Sequence, residues 1–452
     1  MSHEKPELSP LTWIGSERSL ARRVARPVRE FMQIEAAGGI VLVAATILAL
    51  VWANSPWADS YHDILEGHID IEFGSLIHLD EPVEAWVNDA LMTIFFFVVG
   101  IEIKRELVVG ELRDKRAAAL PAVAAIGGMV VPALIYVAFN AGGDGTDGWG
   151  IPMATDIAFA LGVVSLLGSR VPGAMKVFLL TLAIVDDIGA IAVIAIFYTD
   201  RLSLPWLLTA VALIVIVMLM QRQRVWYIPA YVMVGAVLWL AVFESGVHAT
   251  IAGVVLGLIT PARPLKTDSL EDEPHLARVL AGDTDVGVVR RASFEIRERV
   301  SVAERIEDVL HPFTSFFIIP VFALVNAGIE LDGEILRDAA SSPITLGVGA
   351  GLVFGKLSGV ALFTWVGVKT GLAQLPRGAS WTHVIGLSAV AGIGFTVSLF
   401  ITSLAFDDRG LIDEAKIGIL GASLVAALLG SFVLSRAREV IEVDMALPTS
   451  VK

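Results

Sequence analysis

Four ionisable residues each lie near the middle of a long apolar stretch of the sequence: Asp156, Asp186, Asp187 and Lys356. A charged side chain at the centre of a membrane helix costs about 2.5–3.5 kcal/mol on insertion scales. Left unpaired, the four would cost roughly 10–14 kcal/mol together, which is as large as the net stability of a typical domain. We therefore expect them to be paired, protonated or hydrated, and to mark an ion path through a membrane.

The adjacent residues Asp186 and Asp187 cannot both serve one partner, because neighbouring residues of a helix point about 100° apart. One carboxylate can pair with Lys356 while the other faces an aqueous cavity. Partial desolvation favours the protonated form of that second carboxylate, so it can exchange a proton for a cation near neutral pH. The pattern predicts cation–proton exchange, and a purely structural Asp–Lys pair is the simpler alternative.

Glycine and proline interrupt two of the apolar stretches. One contains Gly150-Ile-Pro152 just before Asp156, and another contains Gly392-Ile-Gly394 near its centre. Irregular backbone at membrane depth is tolerated where it lines a cavity or is buried in protein, and a pair of interrupted spans points to a transporter's binding site. Asp156 is expected to neutralise the positive ends of the half-helices and Lys356 the negative ends.

The composition places these residues in a polytopic membrane protein. The chain has 452 residues, of which 55% are hydrophobic and 18% charged, and its mean hydropathy is +0.73; soluble domains have about 25% charged residues. A membrane helix needs about 20 apolar residues. Twelve stretches are long enough or nearly so: 36–53, 86–109, 116–139, 146–168, 173–198, 203–220, 226–243, 247–260, 312–329, 344–368, 382–405 and 417–435. We expect one all-α domain with twelve transmembrane helices.

The distribution of lysine and arginine supports twelve spans with both termini in the cytoplasm. On that assignment the inner segments hold 28 of the 33 Lys and Arg residues and the outer segments four, with Lys356 remaining; positive charge collects in cytoplasmic loops. The chain then divides into an N-terminal tail 1–35, a twelve-helix domain 36–436 and a C-terminal tail 437–452. The tail of 35 residues is long for a signal-peptide leader, so the first apolar run is predicted to be a span.

Two segments outside the spans have distinct patterns. The outer loop 54–85 lacks Lys and Arg, and within it His68–Phe73 alternates polar and apolar residues before Gly74-Ser75, which predicts a hairpin. The inner loop 261–311 is long and carries both signs of charge, with an interfacial helix predicted near Val289–Arg299.

Net charge and cysteine content exclude several classes of function. A net charge of −14 argues against a nucleic-acid partner. The sequence contains no cysteine, which excludes disulfides, iron–sulfur clusters and thiol catalysis.

The chain resembles the NhaA-type bacterial Na+/H+ antiporters over about residues 30–436, in many motifs that occur in the family's order. The matching stretches are Trp86-Val-Asn-Asp89, Gly100-Ile-Glu-Ile-Lys-Arg-Glu106, Ile151-Pro-Met-Ala-Thr-Asp-Ile-Ala-Phe-Ala160, Leu182-Ala-Ile-Val-Asp-Asp-Ile-Gly189, Ser245-Gly-Val-His-Ala-Thr250, Leu310-His-Pro312, Asn326-Ala-Gly328, Gly355-Lys356 and Gly392-Ile-Gly-Phe-Thr396.

The resemblance implies a fold in which spans 3–5 and 10–12 form inverted repeats and the broken spans four and eleven cross at mid-membrane. It implies electrogenic, pH-regulated exchange of Na+ or Li+ for more than one proton, without a cofactor, by alternating access in the bacterial inner membrane. It also implies a homodimer formed through the outer hairpin loop 54–85.

The matching positions imply roles for single residues. Ion and proton binding falls to Asp187, Asp186, Asp156 and Thr155. Asp187 would be the main carboxylate for Na+ or Li+ and for protons, with its neighbour Asp186 paired to Lys356. Gly392 and Gly394 would break span eleven.

Three further residues match positions tied to pH response: Glu102, His248 and Asp89. Histidine titrates near physiological pH, although a histidine at an interface is more often simply hydrated. Two departures from the family pattern stand out. The stretch 264–300 has no counterpart, and Leu357 stands where proline commonly follows Gly-Lys.

Two other functions are compatible with buried carboxylates. An intramembrane aspartyl protease could activate water with Asp156 and Asp187 sharing a proton, but the Gly-x-Gly-Asp signature associated with such proteases is absent. A cation channel or a non-transporting sensor would need no titratable carboxylate at its centre, so proton coupling would exclude either.

Overall fold

The computed structural model describes residues 37–73, 77–199, 202–225, 227–264, 278–279, 281–282, 284–376 and 378–437. The predicted tails 1–35 and 437–452 lie outside these ranges apart from Ala437, as does part of the inner loop. The helices are α1 Ala37–Ala53, α2 Ala58–Leu65, α3 Val83–Val108, α4 Lys115–Asn140, α5 Ile157–Leu166, α6 Gly173–Phe197, α7 Leu204–Arg222, α8 Ile228–Phe243, α9 Thr250–Ile259, α10 Val286–Arg297, α11 Val302–Asn326, α12 Gly333–Ser341, α13 Pro343–Lys369, α14 Trp381–Val390, α15 Phe395–Ala405 and α16 Arg409–Ser435. The strands are β1 His68–Phe73 and β2 Ile77–Pro82, and short 3-10 helices cover Glu111–Arg113, Thr146–Met153 and Gly168–Arg170.

Most of these helices are suited to a lipid environment. In the described part of the chain, eight helical runs are long and apolar enough to cross a membrane: α3, α4, the run Thr146–Leu166 that ends in α5, α6, α7, α11, α13 and α16. Two more candidates are bent pairs, α1 with α2 at 113° and α14 with α15 at 43°. Helices satisfy their own backbone hydrogen bonds, as lipid requires. The chain is therefore an all-α multi-pass membrane protein with eight to ten candidate spans.

Each predicted apolar stretch coincides with helical structure, but several helices are longer than predicted. The stretch predicted at 312–329 belongs to α11, which begins at Val302, and the stretch predicted at 417–435 belongs to α16, which begins at Arg409. The additional first turns are polar. Hydropathy registers only the part of a helix that is apolar, so it misses turns that extend beyond it.

The hairpin predicted in the outer loop is present. Strands β1 and β2 pair antiparallel, with His68 opposite Pro82 and Phe73 opposite Ile77. The His68 Nδ1 atom lies 2.9 Å from Asp80 Oδ1 on the opposite strand. The predicted turn at Gly74-Ser75 lies outside the described residues.

Helices α4 and α13 approach so closely that their contact requires glycine. A Cβ atom at Gly359 of α13 would lie 2.2 Å from the carbonyl oxygen of Gly127 on α4. The contact of α3 with α9 is made in the same way, because a Cβ atom at Gly253 would lie 2.1 Å from the carbonyl oxygen of Thr93. Small residues let membrane helices pack backbone to backbone.

We expect Gly359→Ala to destabilise the protein by about 1–3 kcal/mol, the range for overpacking a close contact. The matched control is Gly349→Ala on the same helix, where the added Cβ would meet no atom within 4 Å. Thermal unfolding of the purified protein in detergent measures both. Equal midpoint temperatures of unfolding for the two variants would show that α4 and α13 can move apart without loss of stability.

Candidate ion-binding site

Lys356 on α13 and Asp186 on α6 form a fully buried ion pair. The Lys356 Nζ atom donates to Asp186 Oδ2 at 2.6 Å and to Thr155 Oγ1 at 3.0 Å. Both charged side chains are 0% exposed. The predicted pairing of one of the two adjacent aspartates with Lys356 is therefore present, and it joins α6, α13 and the break before α5.

The next residue of α6, Asp187, has a different environment. It is 5% exposed, and its Oδ1 atom, like that of Asp186, is buried without a hydrogen-bond partner among the described residues. Asp186 is nevertheless held through Oδ2 by Lys356 and Thr155, and no such ion pair is described for Asp187. The acidic groups close enough to act on its charge are Asp186, Glu102 and Asp156, and the cation is Lys356. A buried carboxylate with unused acceptor capacity gains from a proton or a cation, because either satisfies the oxygen and removes the uncompensated charge.

The two broken helices meet at their breaks, where the backbone leaves the regular α-helix. On one side the 3-10 helix Thr146–Met153 ends before α5, and on the other α14 ends before α15. The backbone N–H of Asp156 donates to the Ile393 carbonyl oxygen at 2.7 Å. The predicted interruption of both stretches is confirmed, and at Gly392 it requires glycine, since a Cβ atom there would lie 2.4 Å from the Leu352 carbonyl oxygen.

The Asp156 carboxylate caps the N-termini of both half-helices that leave the crossing. Its Oδ1 atom accepts from the backbone N–H of Phe159 at 2.9 Å, in the first turn of α5. Its Oδ2 atom accepts from the backbone N–H of Thr396 at 3.1 Å and from the Thr396 hydroxyl at 2.7 Å, at the start of α15. The position is the one predicted for Asp156, because a carboxylate is favoured at the positive end of a helix.

Lys356 bonds no helix-end carbonyl oxygen directly among the described residues, and its neutralising of the negative helix ends stays a prediction. Both described partners of its ammonium group are side chains, Asp186 and Thr155. The Thr155 hydroxyl, 2.9 Å from the carbonyl oxygen of Ala391 at the end of α14, meets the helix end instead. The reason is local: a buried ammonium gains more from a carboxylate than from a neutral carbonyl.

Sequence reasoning did not single out Thr396 as a site residue. Its position two residues after Gly394, at the start of a half-helix, was the available signal. We expect Thr396→Val to destabilise the protein by about 1.5–3 kcal/mol, the range for a hydrogen bond to a charged group. Thr396→Ser keeps the hydroxyl and should retain most of the stability in thermal unfolding. A valine variant as stable as the serine variant would contradict the capping role.

The sequence of the whole chain matches a known family. A profile of the family described as Na+/H+ antiporter 1 matches residues 29–434. The chain belongs to this family. The match covers every described element of the crossing and of the Asp186–Lys356 pair.

Similar antiporters occur in several bacteria. The chain is 48% identical over 412 residues to Na(+)/H(+) antiporter NhaA 3 of Frankia alni, covering 91% of this chain and 89% of that protein. It is 47% identical over 427 residues to Na(+)/H(+) antiporter NhaA of Oleidesulfovibrio alaskensis, covering 92% and 94%. Membership of the antiporter family makes the protein a transporter and not an enzyme, which removes the aspartyl-protease alternative.

The antiporter's three predicted pH-response residues do not lie together. Glu102, in the C-terminal half of α3, is a charged neighbour of Asp187. Asp89 lies in a π-helical turn, Val87–Leu91, near the start of the same helix, about 20 Å from Glu102 along the axis. His248 precedes α9 by two residues. Of the three, Glu102 is the one that acts on the charge of Asp187.

The surroundings of Glu102 and Asp89 also differ. One turn after Glu102, the Arg105 guanidinium donates to Glu307 of α11 at 2.7 Å. The carbonyl oxygen of Asp89 accepts from the indole N–H of Trp239 on α8 at 3.2 Å. The antiporter therefore has a charged network at one end of α3 and an aromatic contact at the other.

Proposed function

We propose that the protein exchanges Na+ or Li+ for protons across a bacterial inner membrane, with both ions competing for Asp187. One observation carries the proposal: Asp187 has a buried oxygen without a described partner and forms no ion pair with a described residue, directly beside Asp186, which is paired to Lys356. Family membership supports the ions, and the geometry supports the residue. Asp186, Asp156 and Thr155 complete the proposed ion- and proton-binding group.

The two adjacent carboxylates have different roles: Asp186 pairs with Lys356, and Asp187 binds the exchanged ion. Lys356 compensates Asp186, so the site carries one uncompensated negative charge when Asp187 is ionised. A proton or a Na+ ion can neutralise that charge, and each therefore excludes the other. The swap at Asp187 alone is one-for-one and electroneutral, so the proposed electrogenic exchange needs a second proton, for which Asp186 and Lys356 are the neighbouring titratable groups.

Alternating access in this proposal is a movement around the crossing. The Asp156 carboxylate and the Ile393 carbonyl tie the two broken helices together. Because Asp187 is buried in the observed conformation, the surrounding helices must move to expose it to each side in turn. Inverted repeats built from α4–α6 and α13–α16, each with a broken helix in the middle, would supply the two related arrangements.

We further propose twelve spans with both termini in the cytoplasm. The eight long runs, the two bent pairs and the shorter apolar helices α8 and α9 together support that number. The twelve-helix domain then covers 36–436, between the tails 1–35 and 437–452. The outer loop 54–85, which holds the hairpin, is the proposed homodimer contact, and Glu102, His248 and Asp89 are the proposed pH-response residues.

Transport in everted vesicles tests the function. Vesicles from cells lacking their own Na+/H+ antiporters are acidified inside, and NaCl, LiCl or KCl is added between pH 6.5 and 8.5 while a dye follows the gradient. If adding Na+ or Li+ dissipates the proton gradient and also changes the membrane potential, electrogenic exchange is supported. If none of the three cations dissipates the proton gradient at any pH, the proposal is overturned.

Competition for one carboxylate predicts how the apparent KM for Na+ depends on pH. On the acid side, where the site is mostly protonated, each unit fall in pH should raise KM at least about tenfold, the factor for one competing proton by mass action, with a small effect on the maximal rate. Initial rates at several Na+ concentrations and pH values measure this. A maximal rate that falls while KM stays constant would indicate control at a separate site.

A further inference from the structure

The helix α10, which lies in the inner loop 261–311, has an unusual distribution of charge. It contains three arginines, Arg290, Arg291 and Arg297, and all three are exposed. Its one acidic residue, Glu295, is buried. Three exposed arginines on one helix are unexpected in a chain with a net charge of −14.

The same helix exposes large apolar side chains. Val286, Val289 and Ile296 are 69%, 43% and 48% exposed. At 100° per residue, Val289 and Ile296 lie within about 20° of each other, and Arg290 and Arg297 form a parallel row beside them. This combined surface, the basic–apolar face of α10, is the side turned away from the protein.

The opposite side of α10 is fixed to the protein. Val288, Ala292 and Glu295 are buried. Just after the helix, Glu298 is buried and accepts from Arg305 of α11 at 3.3 Å. The start of α11 is in turn tied to the end of α9, because the Ala303 N–H donates to the Pro261 carbonyl oxygen at 3.1 Å. The basic–apolar face is therefore held where α9 ends and α11 begins.

We propose that α10 docks its basic–apolar face on anionic lipid headgroups of the cytoplasmic leaflet. The chemistry is complementary: an amphipathic helix with Arg beside its apolar face lies in the membrane interface, with apolar side chains among the acyl-chain ends and cations at the headgroups. The cytoplasmic leaflet is the anionic one. The inference rests on the proposed topology, which puts the loop 261–311 on that side.

The absence of cysteine from the sequence makes the test direct. Val289→Cys in the full-length protein is labelled with an environment-sensitive fluorophore and reconstituted into vesicles of phosphatidylcholine, with or without phosphatidylglycerol. With phosphatidylglycerol, we expect a blue-shifted emission and quenching by lipids that carry a quencher near the headgroup. Each arginine near the surface contributes roughly a fivefold factor, so Arg290→Gln with Arg297→Gln should weaken docking about 25-fold and sharply reduce the dependence on lipid charge.

A matched control is Leu336→Cys on α12, a short amphipathic helix whose exposed Leu336 lies two residues from Asp338. Its signal should be the same in both kinds of vesicle. Water-exposed emission from position 289 in both vesicles overturns the proposal, as does quenching that ignores lipid charge. If the fluorophore emission is blue-shifted but lipid-borne quenchers have no effect, protein and not lipid covers the face, and the proposal is overturned. The covering protein would be a second copy of the chain or residues 438–452. Na+ transport by the same vesicles reports separately on the proposed function.

Discussion

Replacing Asp187 with Asn should abolish Na+- and Li+-driven proton movement at every pH. Asparagine has nearly the same shape as aspartate, but it can neither carry the negative charge that attracts a cation nor bind and release a proton in this range. The change removes the group for which both ions compete, so no rise in pH or Na+ concentration should restore activity. Dye-based transport in everted vesicles measures the effect against vesicles without the protein.

The matched control for Asp187→Asn is Asp89→Asn. Asp89 lies about 20 Å from Glu102 along α3, away from the buried aspartates, so exchange should persist, with at most a shifted pH profile. Both variants must be inserted in equal amounts and unfold at comparable temperatures. If Asp187→Asn transports as well as the parent protein, the assignment of the site is wrong even though the family is right.

Breaking the buried ion pair should have the largest effect on stability. Lys356→Met keeps the length of the side chain but leaves Asp186 buried without its cation, and removing one partner of a buried pair costs about 3–5 kcal/mol. The Thr155 hydroxyl, 2.8 Å from Asp186 Oδ2, can compensate only part of this loss. Thermal unfolding of the purified protein measures the cost.

The double variant Lys356→Met with Asp186→Asn provides the internal control. Removing both charges eliminates the uncompensated one, so the double variant should be more stable than either single variant, as pair replacements often are. If the losses from the single variants simply add in the double variant, the two residues do not depend on each other. Na+ transport by the double variant then tells whether the pair is needed for exchange or only for the fold.

Much of the site could be predicted because burying charge in lipid leaves few alternatives. Charges at the centres of apolar stretches require partners, and with one lysine and two adjacent aspartates the pairing followed from helix geometry. The break before Asp156 was visible in glycine and proline, and the capping role of Asp156 followed from the helix dipole.

Other features were not accessible from the sequence. Spacing alone did not decide whether Asp186 or Asp187 pairs with Lys356, because that depends on the rotation of α6 against α13; the family resemblance assigned the pair to Asp186, as the structure shows. Hydrogen bonds between distant segments, such as Thr396 to Asp156 and Thr155 to Ala391, require knowledge of how the broken helices cross. The first turns of α11 and α16 are polar, so hydropathy could not show that the helices begin there.

Proton release on binding of Na+ tests the central claim most directly. NaCl is added to the purified protein in a weakly buffered detergent solution at a pH where the site is protonated, and an indicator dye records released protons. We expect saturable release with Na+ or Li+, none with choline, and none from Asp187→Asn. Undiminished release from Asp187→Asn, or Na+ binding without any release by the parent protein, would contradict competition of the two ions for Asp187.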